Sequence, residues 1–140
     1  SCASNPLSCA IGHAVVQETV NQGLIPNAEA MGMRLRERLL EVQKDSRVLG
    51  DIRGKGLLMA IEIVSDRESK ATFSAETRAI DRIVELAMAR GLLLYSRRTA
   101  KGQFGEWLMV APPLIVDAAQ IDTIAGLIGE TLAAFEAQLR

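Results

Sequence analysis

Two glycines one residue apart, Gly54 and Gly56, interrupt an otherwise strand-forming run from Asp51 to Ile63. Glycine reaches positive φ without a steric penalty, which is what a tight turn between antiparallel strands demands. The chain must therefore fold back on itself here and join a short strand to a longer apolar one. A dinucleotide-binding reading of the two glycines fails, because Met59 stands where a third glycine is needed and no helical pattern follows. Arg53 and Lys55 read as solvated charges on an exposed hairpin.

The flanking segments extend this frame in both directions. Pro6 near a first turn, followed by an Ala-, Ile- and Val-rich stretch to about Val20, predicts a helix that Gly23 closes. A second helix is expected from Pro26 to about Asp45, where Ala28, Met31, Leu35, Leu39 and Val42 recur every three or four residues amid Arg34, Arg36, Glu37, Arg38 and Glu41. Strands are expected over Val48–Arg53, Leu57–Val64, Leu92–Tyr95 and Trp107–Ala111, the last ended by Pro112-Pro113. The charged, hydroxyl-rich segment from Ser65 to Ser74 reads as a surface loop, with Ser74 capping a helix that carries Ile80, Ile83, Val84 and Ala87 and stops at Gly91. Asp117 caps the final helix, whose stripe is Ile121, Ile124, Ala125, Ile128, Leu132, Phe135 and Leu139.

Helices alternating with strands around one hairpin give an α+β fold: a small, mostly antiparallel sheet covered on one face by the helices around Ile80 and Ile128, preceded by two N-terminal helices. Those two helices fit the layer less well and are expected to expose apolar surface unless another chain or segment covers them.

A chain of 140 residues, almost half of them hydrophobic, suits one domain with a real core. Sixteen basic and seventeen acidic residues are interspersed, so no nucleic-acid partner is expected, and no apolar run approaches the roughly 20 residues of a membrane helix. Cys2 and Cys9 are spaced neither as a zinc pair nor as a disulfide framework and are read as reduced thiols of a cytoplasmic protein. Ser1 stands in place of an initiator methionine, inside what reads as a motif, and the expectation is a piece of something longer.

Four segments occur in order: Ser4-Asn5-Pro6-Leu7, Asp51-Ile52-Arg53-Gly54-Lys55-Gly56-Leu57 through Ile63, Gly91-Leu92-Leu93-Leu94, and Ala111-Pro112-Pro113-Leu114-Ile115. Together they span nearly the whole chain, and the set resembles the small C-terminal domain of class III pyridoxal-phosphate-dependent aminotransferases, of the omega-transaminase kind. The resemblance implies a fold-type-I small domain over 24–140, with 1–23 as a linking helix from a missing N-terminal large domain. It implies a homodimeric parent enzyme that moves an amino group between an amine or amino acid and a 2-keto acid.

In such enzymes a lysine of the large domain holds the pyridoxal phosphate as a Schiff base and then serves as the general base. None of Lys44, Lys55, Lys70 and Lys101 lies in a matching context, so no catalytic residue is assigned here and the chain alone is expected neither to bind the cofactor nor to transaminate. The resemblance places Ser1 where the family has a threonine on the cofactor phosphate of the neighbouring subunit. A serine hydroxyl can make that bond, although Cys2-Ala3-Ser4 departs from the usual residues, and Ser1 reads equally as a polar residue ahead of a helix. Amine:pyruvate members carry a substrate-carboxylate arginine directly after the apolar strand, where this chain has Tyr95. Arg97 and Arg98 follow, on an insert running through Thr99 to Gly105. Arg98 is favoured over Arg97 as the arginine that reaches substrate from a mobile loop, against the reading of both as exposed loop residues.

His13 has no paired nucleophile or carboxylate in view and reads as a surface or interface residue; Trp107, Met59 and Met109 read as packing residues. No Ser-His-acid, metal or paired-carboxylate arrangement supports an enzyme complete in these residues. The competing interpretation is a free-standing α+β module that binds a ligand or dimerises, which a start codon just before Ser1 in the gene would favour.

Overall fold

The computed structural model describes residues 5–102 and 105–139. Strands β1 (Leu49–Lys55) and β2 (Leu58–Ile63) pair antiparallel from Leu49↔Ile63 to Lys55↔Leu58, with one irregularity between Leu49 and Asp51. Gly56 sits in the turn at φ +55°, in the left-handed region open to glycine. Strands β3 (Tyr95–Arg98) and β4 (Glu106–Val110) complete an antiparallel sheet of order β1-β2-β4-β3.

The third strand lies downstream of its expected place over Leu92–Tyr95. Tyr95 pairs with Met109, so Leu94, Leu93 and Leu92 would have to pair with Val110, Ala111 and Pro112. Proline lacks the N–H donor a ladder needs, residues 92–94 join no strand, and the Leu92 N–H donates instead to the Ala87 carbonyl at 2.9 Å. Arg97 and Arg98 therefore belong to a strand and not to the insert.

Helix α1 (Pro6–Asn21) starts where Asn5 Oδ1 accepts the N–H of Leu7 at 2.9 Å and that of Ser8 at 3.4 Å. Helix α2 (Leu24–Asp45) begins two residues before Pro26, from Gly23 at φ +64°, and its first turn holds the proline where a missing N–H is harmless. Ser74 does not cap helix α3 (Ala79–Met88). A 3-10 turn over Ala75–Thr77 intervenes, and Arg78, at φ +48°, precedes the helix without a side-chain cap. Helix α4 (Ala118–Ala137) has a reciprocal cap: Asp117 Oδ1 accepts from the Gln120 N–H at 2.8 Å, and Gln120 Oε1 accepts from the Asp117 N–H at 3.0 Å.

Helix α4 packs between α2 and α3, and these helices cover one face of the sheet. Ile61, Ile63, Leu108 and Val110 of the strands meet Leu35 and Leu39 of α2, Ile83 of α3, and Ile121, Ile128 and Phe135 of α4 in one core. Contrary to expectation, α2 is thus a full member of the layer. Its Gly32 is buried against the hairpin turn, where a Cβ would come within 2.3 Å of the Gly56 carbonyl carbon and oxygen. Only α1 stands apart: it buries no residue and exposes Leu7, Ile11, Val15, Val16 and Val20. No described helix is long and apolar enough to cross a membrane.

Candidate functional site

The sheet face opposite the helices is built by the period-two alternation of its strands. Register aligns two rows across it: Arg53, Ala60, Met109 and Tyr95, and beside them Asp51, Glu62, Trp107 and Arg97. Ala60, Trp107 and Met109 are half-buried and make an apolar floor, flanked at Met109 by shallow depressions of about 510 and 300 Å3. Trp107 and Met109, expected as packing residues, pack on this floor, whereas Met59 lies in the core.

The charges on this face are not equivalent. Arg53 contacts Asp51 at 2.9 Å and Glu62 at 3.6 Å and is thereby matched twice. Arg97 is exposed, lies 5.5 Å above the Tyr95 ring centroid, and has no ion pair with a carboxylate among the described residues. Tyr95, 48% exposed, leans toward Trp107 with ring centroids 6.3 Å apart, and the Trp107 indole donates to Thr99 Oγ1 at 3.3 Å. One surplus guanidinium beside a phenol and an apolar floor can take a small molecule that carries a carboxylate on a short carbon chain.

Arg98 occupies the opposite side of the same strand. Its Nε lies 2.6 Å from Oε1 of Glu106, its register partner, and the contact is too oblique for hydrogen-bond alignment. Glu106 is almost wholly buried; that burial pushes its carboxyl above the ordinary value of 4.5, with Arg98 opposing the shift. The structure thus brings Tyr95 and Arg97 together on the open face and sets Arg98 beneath it. Alternation was the available signal: Leu92 and Leu94 are buried and Leu93 is exposed, so continuing the pattern puts Arg97 and Arg98 on opposite faces. Ser1 lies outside the described residues.

A larger groove of about 750 Å3 runs between α2 and the hairpin, lined by Ile25, Met33, Leu58 and Pro112 among others. Its arginine, Arg36, is engaged with the Ile52 carbonyl at 3.1 Å, and the exposed Lys55 also lines it. Among the described residues no cluster of His, Cys, Asp and Glu could hold a metal. Lys44, Lys55 and Lys70 are all exposed, with Lys55 on the rim of this groove.

Comparison with known proteins follows the same lines. The family described as "Aminotransferase class-III" matches residues 2–132. An uncharacterized aminotransferase, YodT, from Bacillus subtilis is 32% identical over 139 residues, covering 99% of this chain and 31% of its own length. The 5-aminovalerate aminotransferase DavT of Pseudomonas putida is 31% identical over 94% of this chain and 29% of its own. A PMP-bound aminotransferase from Vibrio fluvialis superposes with a TM-score of 0.84 at 27% identity, covering 96% of this chain and 28% of that one. The chain therefore spans roughly three-tenths of the length of these relatives.

Proposed function

Because the chain belongs to the class-III aminotransferase family, we propose that it forms the substrate-facing small domain of a pyridoxal-phosphate-dependent enzyme that exchanges an amino group between an amine or amino acid and a 2-keto acid. In this reading the cofactor and its lysine belong to the part of the enzyme outside these residues, and the chain's own contribution is recognition. Arg97 pairs with the substrate carboxylate, Tyr95 steadies the guanidinium, and Trp107 and Met109 receive the carbon chain. The observation that supports this most directly is the surplus charge: Arg53 is matched by two carboxylates on the same face, while Arg97 has none among the described residues. In the same reading the exposed apolar side chains of α1 meet the rest of a homodimeric enzyme.

The test uses the full-length enzyme. Arg97→Ala is expected to raise the KM for a 2-keto acid about tenfold, the scale of one charge-assisted contact. An unchanged KM would remove Arg97 from the site. The isolated chain is expected to show no aldimine absorbance on addition of pyridoxal phosphate, and stoichiometric binding would contradict the assignment of cofactor binding to other segments.

A further inference from the structure

We propose that Ala60 determines the chain length this site accepts: the hollow at Ala60 holds the far end of an unbranched, apolar 2-keto acid whose carboxylate is on Arg97. The inference rests on the role given to Arg97 above.

The row Arg53, Ala60, Met109 and Tyr95 crosses the open face from one edge strand to the other. Three of its four members carry long side chains, and Ala60 carries one methyl group. The depression of about 510 Å3 opens at this position, with Leu58, Trp107 and Met109 among its lining residues. Alanine is depleted in strands, because a β-branched or aromatic residue packs better on a half-buried pleated surface. Ala60 is half-buried and lies inside β2, which is paired on both sides. Its small side chain therefore does little for the sheet, and what it leaves is space.

That space is in line with the unmatched cation. Arg97 belongs to the neighbouring row, opposite Trp107, yet its guanidinium lies 5.5 Å from the ring centroid of Tyr95, which stands in the Ala60 row. A carboxylate bound there starts at one end of the row, with Met109 between it and Ala60. From Tyr95 to Ala60 is two strand spacings, about 10 Å, a span that an extended chain of several methylenes bridges and pyruvate does not. Trp107 borders the path, its ring oriented by the 3.3 Å hydrogen bond to Thr99 Oγ1. The lining is apolar apart from Arg53, which Asp51 and Glu62 already match, and the exposed Lys55. Each methylene that leaves water on this floor is worth about fourfold in affinity.

The experiment measures kcat/KM of the full-length holoenzyme for 2-oxooctanoate and for pyruvate, and follows their ratio. Ala60→Leu puts carbon where the substrate chain lies and is expected to lower the ratio about tenfold or more. Ala60→Val, a better strand former, is expected to lower it about fourfold and serves if the leucine variant does not fold. A ratio within about twofold of wild type in the folded variants, or no turnover of 2-oxooctanoate by the wild type, would overturn the inference. So would a preference for the dicarboxylic 2-oxosuberate that Lys55→Ala abolishes, because the chain end would then be read by charge. Arg97→Ala separates the two levels. If it leaves the KM of both monocarboxylic acids unchanged, the site reading itself fails; if it raises both and the ratio ignores Ala60, only the chain-length inference fails.

Discussion

The two faces of the sheet are made by the same strands and alternate residue by residue, yet they are governed by different physics. On the covered face, Ile61, Ile63, Leu108 and Val110 are sealed by three helices, and identity there is set by volume and by exclusion of water. On the open face, one position along, Glu62, Trp107, Met109 and Arg97 remain partly or fully accessible, and identity is set by charge and hydrogen bonding. Neighbouring residues of one strand should therefore fail in different ways when changed: the covered ones in stability, the open ones in recognition.

The sharpest test of that contrast lies within β4. Leu108→Ala is expected to lower unfolding free energy by about 2–5 kcal/mol, since it removes a fully buried side chain and leaves a cavity. Met109→Ala, its half-buried neighbour, is expected to cost less than half as much in the same denaturant titration. Comparable losses would show that the open face is as much a core as the covered one.

Gly32→Ala probes the helical layer without removing any contact. A methyl group there would meet the Gly56 backbone at 2.3 Å, and backbone does not yield as a flexible side chain can. The expected loss is about 1–3 kcal/mol, read as a fall in thermal midpoint. Arg97→Ala should give the opposite signature, with stability changed by less than about 0.5 kcal/mol and the tenfold loss confined to keto-acid KM.

Two carboxylates, the half-buried Glu136 and the buried Glu106, sharpen the comparison by pH. Burial alone would raise Glu136, but its acceptor bonds from the Ser46 hydroxyl and the Arg47 N–H, both at 2.8 Å, and from the Arg47 guanidinium outweigh it and hold the group below its ordinary 4.5. The stability it contributes is present above that ordinary value and lost as pH falls through the lower folded one. Glu136→Gln should therefore flatten the acid limb of a stability-against-pH curve. Glu106 is shifted the other way, chiefly by burial, so its contribution is greatest below 4.5 and declines as pH rises through its folded value. An unaltered acid limb in Glu136→Gln would discard this account.

Most of the fold could be read along the chain because its signals are local. The glycine turn, the Asn5 and Asp117 caps, the α2 and α4 stripes and the proline stop after β4 each depend on residues a few positions apart. The candidate site was legible in part. Tyr95, Arg97 and Arg98 were all singled out, but which face of the sheet each occupies depends on a strand that the local pattern places a few residues upstream. Where the strand begins is set by its pairing with β4, whose residues lie further along the chain.

Sequence alone therefore determined the hairpin, the helices with their buried stripes, and the α+β class, since backbone sterics, capping and periodicity act over one or two turns. Tertiary structure alone decided that α2 joins the sheet through the Gly32–Gly56 contact while α1 buries nothing. It also decided that, among the described residues, Arg53 is matched and Arg97 is not, and that Arg98 lies under the sheet against Glu106. The physical reason is the same in each case: packing, charge pairing and strand register are relations between residues far apart in the chain, and a one-residue change in register reverses which side chain faces the open side.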